Sequence, residues 1–204
     1  MALAEDIGGG DVTTLYFTGT KRRCSARIVA REGCLVAGLD VAAEVFRRVD
    51  PEIHIEKLLE NGGQMLPGDL AMKLRGRAAS LLTAERTALN FLQRLSGVAT
   101  LSGKYVAAVR GTPARILDTR KTTPGMRLLE KGAVAAGGGL NHRFGLHDMV
   151  MVKDNHLAAH TSLEQLQASI LRVKSERPAI RVELEADTLE QVRHFLTLKG
   201  VDVI

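Results

Sequence analysis

Apolar and polar positions change their spacing twice along this chain. Over residues 25–31 they alternate, the period-two pattern of a strand with one buried face. Glu32-Gly33 then turns the chain into a second apolar run at 34–37. Over 41–48, Val41, Ala42, Val45 and Phe46 share one helical face, which predicts a short amphipathic helix. Asn61-Gly62-Gly63 and Pro67-Gly68-Asp69 are turn signals, and short strands are predicted at 53–58 and 71–76. From 81 to 109 the spacing becomes helical, through Leu82, Leu89, Leu92, Leu95 and Val98, with a break or bend expected at Ser96-Gly97.

After Thr112-Pro113 the rhythm changes again. Strands are predicted at 115–119, 149–152, 180–186 and 201–204, and helices at 124–136, 162–174 and 189–198. Strands alternating with helices argue for a parallel sheet with helices outside it. No strand-to-helix GxGxxG stands at dinucleotide-fold spacing, so a barrel is favoured over a doubly wound sheet. The expected class is α/β: an open sheet or sandwich with its long helix over 1–110, then a βα barrel over 111–204. The chain stops on a strand-like run, Val201–Ile204, where an intact domain would lead on into another element.

Composition narrows the function classes. With 204 residues, 45% hydrophobic and 25% charged, the chain sits at the norm for a soluble globular protein of one large or two small domains. Aromatics are 3% and Trp is absent, so the core must be aliphatic and stacking platforms for single-stranded nucleic acid are not expected. No apolar stretch approaches the roughly 20 residues of a membrane helix. The first residues carry Glu5 and Asp6 rather than a basic leader. Cys24 and Cys34 do not make a disulfide framework, which points to a reduced, cytoplasmic setting. The net charge of +5 suits anionic partners.

In a βα barrel the chemistry sits where strands end. The run Asp118-Thr-Arg-Lys-Thr-Thr-Pro-Gly125 could cradle an anion with Arg120 and Lys121, or be a solvated loop. Lys153 stands at the tip of the next strand, either as an anion contact or as a snorkelling lysine. In the third strand Val182 and Leu184 share one face, while Arg181, Glu183 and Glu185 share the other. That charged face must meet solvent or a polar site, because a strand covered on both sides is apolar throughout. Gly137-Gly138-Gly139 either lets backbone approach a ligand or merely makes a loop, and His142 and Arg143 follow it. Between Ala114 and His160 lie seven Lys/Arg, four Asp/Glu and four of the six histidines, a concentration that reads as an anion site. His142, His147, Asp148, Asp154, His156 and His160 match no recognised metal spacing, and no metal ligand is assigned. Glu85, Arg86 and Asn90 read as the polar face of the long helix. The acidic, glycine-rich segment 5–14 reads as a turn in which Asp11 and the threonines satisfy backbone groups.

Six segments in this order resemble the quinolinate phosphoribosyltransferase family, the carboxylating nicotinate-nucleotide pyrophosphorylases. They are EDIGGGDVTT from Glu5, ERTALNFLQRLSG from Glu85, LDTRKTTPG from Leu117, GGGLNHRFGL from Gly137, VKDNH from Val152 and VELEADTLEQ from Val182. The resemblance implies an N-terminal open sandwich followed by an incomplete α/β barrel, in a homodimer whose active site is shared between subunits. It implies transfer of a phosphoribosyl group from phosphoribosyl pyrophosphate to quinolinate with Mg²⁺, giving nicotinate mononucleotide, pyrophosphate and CO₂ in NAD synthesis. By match of motif, Arg120, His142 and Arg143 would bind the quinolinate carboxylates, and Arg86 would be lent by the neighbouring subunit. Lys121 and Lys153 would serve the phosphoribosyl donor and the leaving groups, with Glu185 near the ribose and Mg²⁺. The resemblance also implies truncation at both ends, an aspartate shortly beyond Ile204, and a chain inactive alone. A molybdenum-transport-associated homologue, a nicotinate phosphoribosyltransferase-like enzyme and a non-catalytic anion-binding fragment stay open as alternatives; no nucleic acid or membrane is expected as a partner.

Overall fold

The structure is a computed structural model that describes residues 1–19, 22–157 and 162–204. Two compact units result, Met1–His142 and Arg143–Ile204. The first contains α1 (Ala2–Ile7), α2 (Val12–Phe17), β1 (Arg23–Val29), β2 (Cys34–Leu35), α3 (Leu39–Val49), β3 (His54–Lys57), β4 (Gln64–Met65), β5 (Leu70–Arg77), α4 (Ala78–Ala108) and α5 (Arg127–Ala136). The second contains β6 (Val150–Val152), α6 (Asp154–Leu157), α7 (Leu163–Glu176), β7 (Val182–Leu184) and α8 (Leu189–Phe195).

In the first unit an antiparallel sheet of order β1-β5-β3 packs against α3 and α4, with β2 and β4 as a separate two-stranded ribbon. The alternation read in the sequence works as expected. Ala26 and Ile28 of β1 turn inward onto Ala71, Met72 and Leu74 of β5 and onto Leu39, Ala42 and Phe46 of α3. Full burial of side chains the size of Leu39, Phe46, Met72 and Leu74 contributes about 1.5–3 kcal/mol each.

The long helix differs from expectation at one place. α4 runs unbroken through Ser96-Gly97. The Ser96 hydroxyl accepts from the Ala37 N–H (3.0 Å) and donates to the Ala37 carbonyl (3.3 Å), so it bonds outside the helix and does not compete with it. Ala84, Ala88, Leu92, Leu95 and Ala99 form the buried stripe that holds the helix down on both sides of Gly97.

Asp50 at the end of α3 is fully buried, and accepts from Arg77 Nε (2.9 Å) and the Glu52 N–H (3.0 Å). The Arg77 hydrogen bond outweighs the opposing effect of burial and holds the carboxyl well below the usual carboxylate range. A carboxylate with a depressed folded-state pKa adds stability above its unfolded value, and that stability is lost as pH falls towards the folded one. Asp50→Asn is therefore expected to cost about 2 kcal/mol at pH 7. The penalty should shrink as melts are repeated below the ordinary carboxyl value of 3.8. A penalty that is the same at neutral pH and in strong acid would contradict this account.

The second unit is built on the parallel pair β6–β7, with Val150 opposite Val182 and Val152 opposite Leu184. Val182 and Leu184 are fully buried among Leu166, Ile170 and Phe195 of the flanking helices. Ser162 caps α7, and Thr188 with Gln191 forms a capping box on α8. Two predicted strands reduce to single bridges. Residues 115–119 pair only through Leu117 and Leu140, and residues 201–204 only through Val203 and Glu183. The first has Leu140 alone as a partner, and Pro113 offers no donor upstream. In the second, the Asp202 carboxylate takes the Val182 N–H (2.6 Å) in place of a further backbone acceptor. α5 begins at Arg127 rather than 124, because Gly125 sits at φ +77° and a helix cannot start through it. The observed architecture is the expected α/β one, an N-terminal antiparallel sheet with helices followed by parallel βα structure. No described helix is long and apolar enough to cross a membrane.

Candidate active site

The segment 117–125 and the segment 140–142 lie against each other in the first unit. The Asp118 N–H donates to the Leu140 carbonyl (3.0 Å), and the Leu140 N–H to the Ile116 carbonyl (2.8 Å). Arg120 and Lys121 extend from the first segment and His142 from the second. Arg120 is half-buried, and its Nε is buried without a hydrogen-bond partner. A guanidinium N–H held out of water with nothing to donate to is costly, and such groups cluster where a ligand supplies the acceptor. Lys121 is exposed, and its N–H is fixed by the Thr119 hydroxyl (3.1 Å).

Charges buried behind these segments hold them in place. Glu130 of α5 accepts from the Thr123 N–H (3.0 Å) and the Thr123 hydroxyl (2.8 Å), and pairs with Arg94 of α4 (2.7 Å). Burial pushes the Glu130 carboxyl up, but the hydrogen bonds from Arg94 and Thr123 together outweigh it and leave it lowered. Lys131, next along α5, pairs with Asp118 at 2.5 Å. The sequence reading missed these residues. A signal existed: Glu130 and Lys131 are adjacent charges in a helix otherwise made of Leu, Ala, Gly and Val after Arg127.

Arg86 projects from the exposed face of α4 into a cavity of about 340 Å³ lined by Asp6, Gly10, Asp11, Thr13 and Thr83. The glycine-rich segment beside it, expected as a turn throughout, is a short turn between α1 and α2 in which Asp11 does satisfy a backbone group. The Asp11 carboxylate caps α2 through the Thr14 N–H (2.9 Å), and also accepts from the Thr83 hydroxyl (3.0 Å). The Thr14 side-chain hydrogen bond, with smaller contributions from Thr83 and backbone, lowers the Asp11 pKa despite some desolvation.

In the second unit Lys153 follows β6 and Glu185 follows β7. The parallel register sets them side by side, with the Glu185 N–H on the Val152 carbonyl (2.9 Å). The Lys153 ammonium reaches both Glu185 oxygens, at 2.9 and 3.0 Å, and the pair is solvent-accessible. The Lys153 N–H also donates to His156 Nδ1 (3.0 Å). Arg143 is half-buried and donates to the Met149 carbonyl (3.3 Å). Its loop is tied by Asp148, which accepts from the Phe144 (2.6 Å) and Gly145 (2.9 Å) N–H groups. The Phe144 hydrogen bond is the largest influence lowering the Asp148 pKa. Glu183 pairs across the ladder with Met151. Among the described residues no group of three His, Cys, Asp or Glu is placed to hold a metal ion, and His160 lies outside those residues.

Comparison with known proteins places the chain in a family. Residues 11–96 match the quinolinate phosphoribosyl transferase N-terminal domain, and residues 98–204 its C-terminal domain. A probable nicotinate-nucleotide pyrophosphorylase [carboxylating] of Synechocystis is 43% identical over 99% of this chain and 67% of its own length. One from Bacillus subtilis is 42% identical over 98% and 68%. Among solved structures, NadC from Streptococcus pyogenes superimposes with a TM-score of 0.91 at 38% identity, over 99% of this chain and 71% of that one. The nicotinate-nucleotide pyrophosphorylase from Francisella tularensis gives 0.92 at 36%, over 99% and 70%. Human nicotinic acid phosphoribosyltransferase gives 0.53 at 14% identity over 81% of this chain, a likeness of fold alone. The chain belongs to the quinolinate phosphoribosyl transferase family.

Proposed function

We propose that this chain serves the transfer of a phosphoribosyl group from phosphoribosyl pyrophosphate to quinolinate, giving nicotinate mononucleotide, pyrophosphate and CO₂ in NAD biosynthesis. The observation that carries the reading is Arg120, whose buried guanidinium N–H has no partner and whose fork geometry suits a carboxylate. Quinolinate supplies two carboxylates. Arg120, His142 and Arg143 bind them, and Arg86 reaches the substrate of a neighbouring subunit in a homodimer. Lys121 and Lys153 stand by the phosphates of the donor, and Glu185 by its ribose.

The chemistry asks these residues for position and charge. As the C–O bond to pyrophosphate breaks, the leaving group takes the electron pair and the ribose becomes oxocarbenium-like. Lys121 and Lys153 stabilise the charge gathering on the departing phosphates. The quinolinate ring nitrogen, held in line by its bound carboxylates, gives its lone pair to the anomeric carbon. The ring nitrogen is now positively charged, so the C–C bond to the adjacent carboxylate can break. Its electron pair stays on the ring carbon, stabilised by the adjacent cationic nitrogen, as CO₂ departs, and a proton then takes that pair. Mg²⁺ bound with the donor would neutralise phosphate charge. Glu185, exposed and with both oxygens facing the Lys153 ammonium, would lie beside an ion held mainly by substrate phosphates and water. A cytoplasmic location belongs to the same proposal, in keeping with the two free thiols, Cys24 and Cys34.

Incubation with phosphoribosyl pyrophosphate, Mg²⁺ and carboxyl-labelled quinolinate tests the reading, with calorimetry for quinolinate binding alone. Saturable quinolinate binding is expected, together with no turnover of nicotinate. Failure to bind quinolinate in a folded chain would refute the proposal, and turnover of nicotinate would favour the nicotinate-specific alternative.

A further inference from the structure

Lys131 is the one lysine buried among the described residues, at 4% exposure. Its ammonium donates to Asp118 Oδ1 (2.5 Å) and to the His142 carbonyl (3.1 Å). Asp118, whose side chain is 5% exposed, returns the contact by accepting from the His142 N–H at 2.8 Å. Both backbone polar groups of His142 are thus taken by one ion pair. With its amide nitrogen turned towards Asp118, Asn141 adds a bond to Oδ2 (2.7 Å) and another to the Lys131 carbonyl (3.0 Å). Three pieces of chain meet here: the segment that carries Arg120 two residues after Asp118, the segment that ends in His142, and the helix α5.

A buried ion pair is weak evidence of stabilisation, because desolvation of both charges offsets their attraction and apolar replacements are often neutral. Neither side chain has the exposure to touch a substrate. What the pair does is geometric. We propose that Asp118 and Lys131 are positioning residues that fix the spacing between the Arg120–Lys121 segment and His142, so that the two segments meet one planar dicarboxylate together. The proposal rests on the quinolinate reading above and extends it to residues that never contact the ligand.

Two variants test it: Lys131→Met, which leaves the Asp118 carboxylate unpaired, and Asp118→Asn/Lys131→Met, which removes both charges. Melting temperature, quinolinate affinity by calorimetry and hydrogen exchange at the His142 amide are measured on each. Lys131→Met should weaken quinolinate binding about tenfold or more, the scale seen when a supporting contact behind a metal-binding side chain is lost. It should also speed His142 exchange. The double variant should recover melting temperature but not affinity, a split that a purely structural role would not produce. Wild-type affinity in a folded Lys131→Met chain would overturn the proposal, as would affinity that returns together with melting temperature in the double variant. Should Lys131→Met fail to fold, the double variant decides alone. Should the unsubstituted chain bind no quinolinate, the functional reading fails by itself; His142 exchange then judges the clamp, faster in the double variant upholding it and unchanged overturning it.

Discussion

Replacing Arg120 with alanine is expected to weaken quinolinate binding about 100-fold while leaving the folded chain as stable as before. Two charge-assisted hydrogen bonds from a guanidinium to a carboxylate together contribute about 3 kcal/mol, and each 1.4 kcal/mol is tenfold in affinity. The neutrality in stability is the less obvious half. Most buried polar groups cost stability when deleted, because their partners are left unpaired. Arg120 Nε has no partner to strand, so its removal relieves a desolvated donor instead. The melting temperature should therefore hold or rise slightly as affinity falls. Arg120→Lys should recover only part of the binding, since an ammonium is a point charge and cannot form the two parallel bonds. Calorimetric titration of the three proteins, beside their thermal melts, checks both halves. A large loss of stability in Arg120→Ala would mean that the side chain is a structural strut. Unchanged affinity would remove it from the quinolinate site.

How much of this was legible in the sequence depended on how local each cause is. β1, α3 and α4 follow their hydrophobic periods closely, because each buries one face against a single layer. The strand at 115–119 misled. It has the alternation of a strand but only Leu140 to pair with, and pairing is not a property of the strand alone. α5 inverts its own pattern, with Leu128 72% exposed and Glu130 and Lys131 buried. Nothing local could show that, since the groups that neutralise these charges are Arg94, 36 residues away, and Asp118, 13 residues away. Lys153 and Glu185 lay at the other extreme. Lys153 was readable as the tip of a strand and Glu185 as part of a strand's charged face, and the parallel register that sets them side by side follows once those strands are neighbours. The side chains most visible in sequence were thus those at strand ends, while the charges that brace the loops needed the fold itself.

α5 is also where a single methyl group should do the most damage. Gly137 ends that helix at φ −77°, an ordinary conformation for any residue, so its importance is not torsional. It lies directly on α4. A Cβ there would stand 2.4 Å from the Ala99 carbonyl oxygen, 2.8 Å from Ser102 Cβ and 3.1 Å from the Gly103 nitrogen. Two of those three atoms are backbone of a long, well-packed helix, and no rotamer change can clear them. One of the two helices must shift, and overpacking of that kind costs on the order of 3 kcal/mol. For a chain of this size, Gly137→Ala should then melt roughly 6–12 °C lower. Gly132, five residues earlier on the same helix, supplies the control. A Cβ there meets nothing within 4 Å, and the position is exposed. Alanine is the better helix former, so Gly132→Ala should be neutral or raise stability by up to about 1 kcal/mol. Opposite signs from one chemical change on one helix would locate the effect at the α4–α5 contact. The displacement should also reach the segments that carry Arg120 and His142, because Glu130 and Lys131 ride on α5 and hold Thr123 and His142. Quinolinate affinity in Gly137→Ala, measured well below its melting temperature, should therefore fall as well, whereas Gly132→Ala should bind as the unsubstituted chain does. Equal melting temperatures for the two variants would show that α5 and α4 do not meet at Gly137 as closely as these distances require.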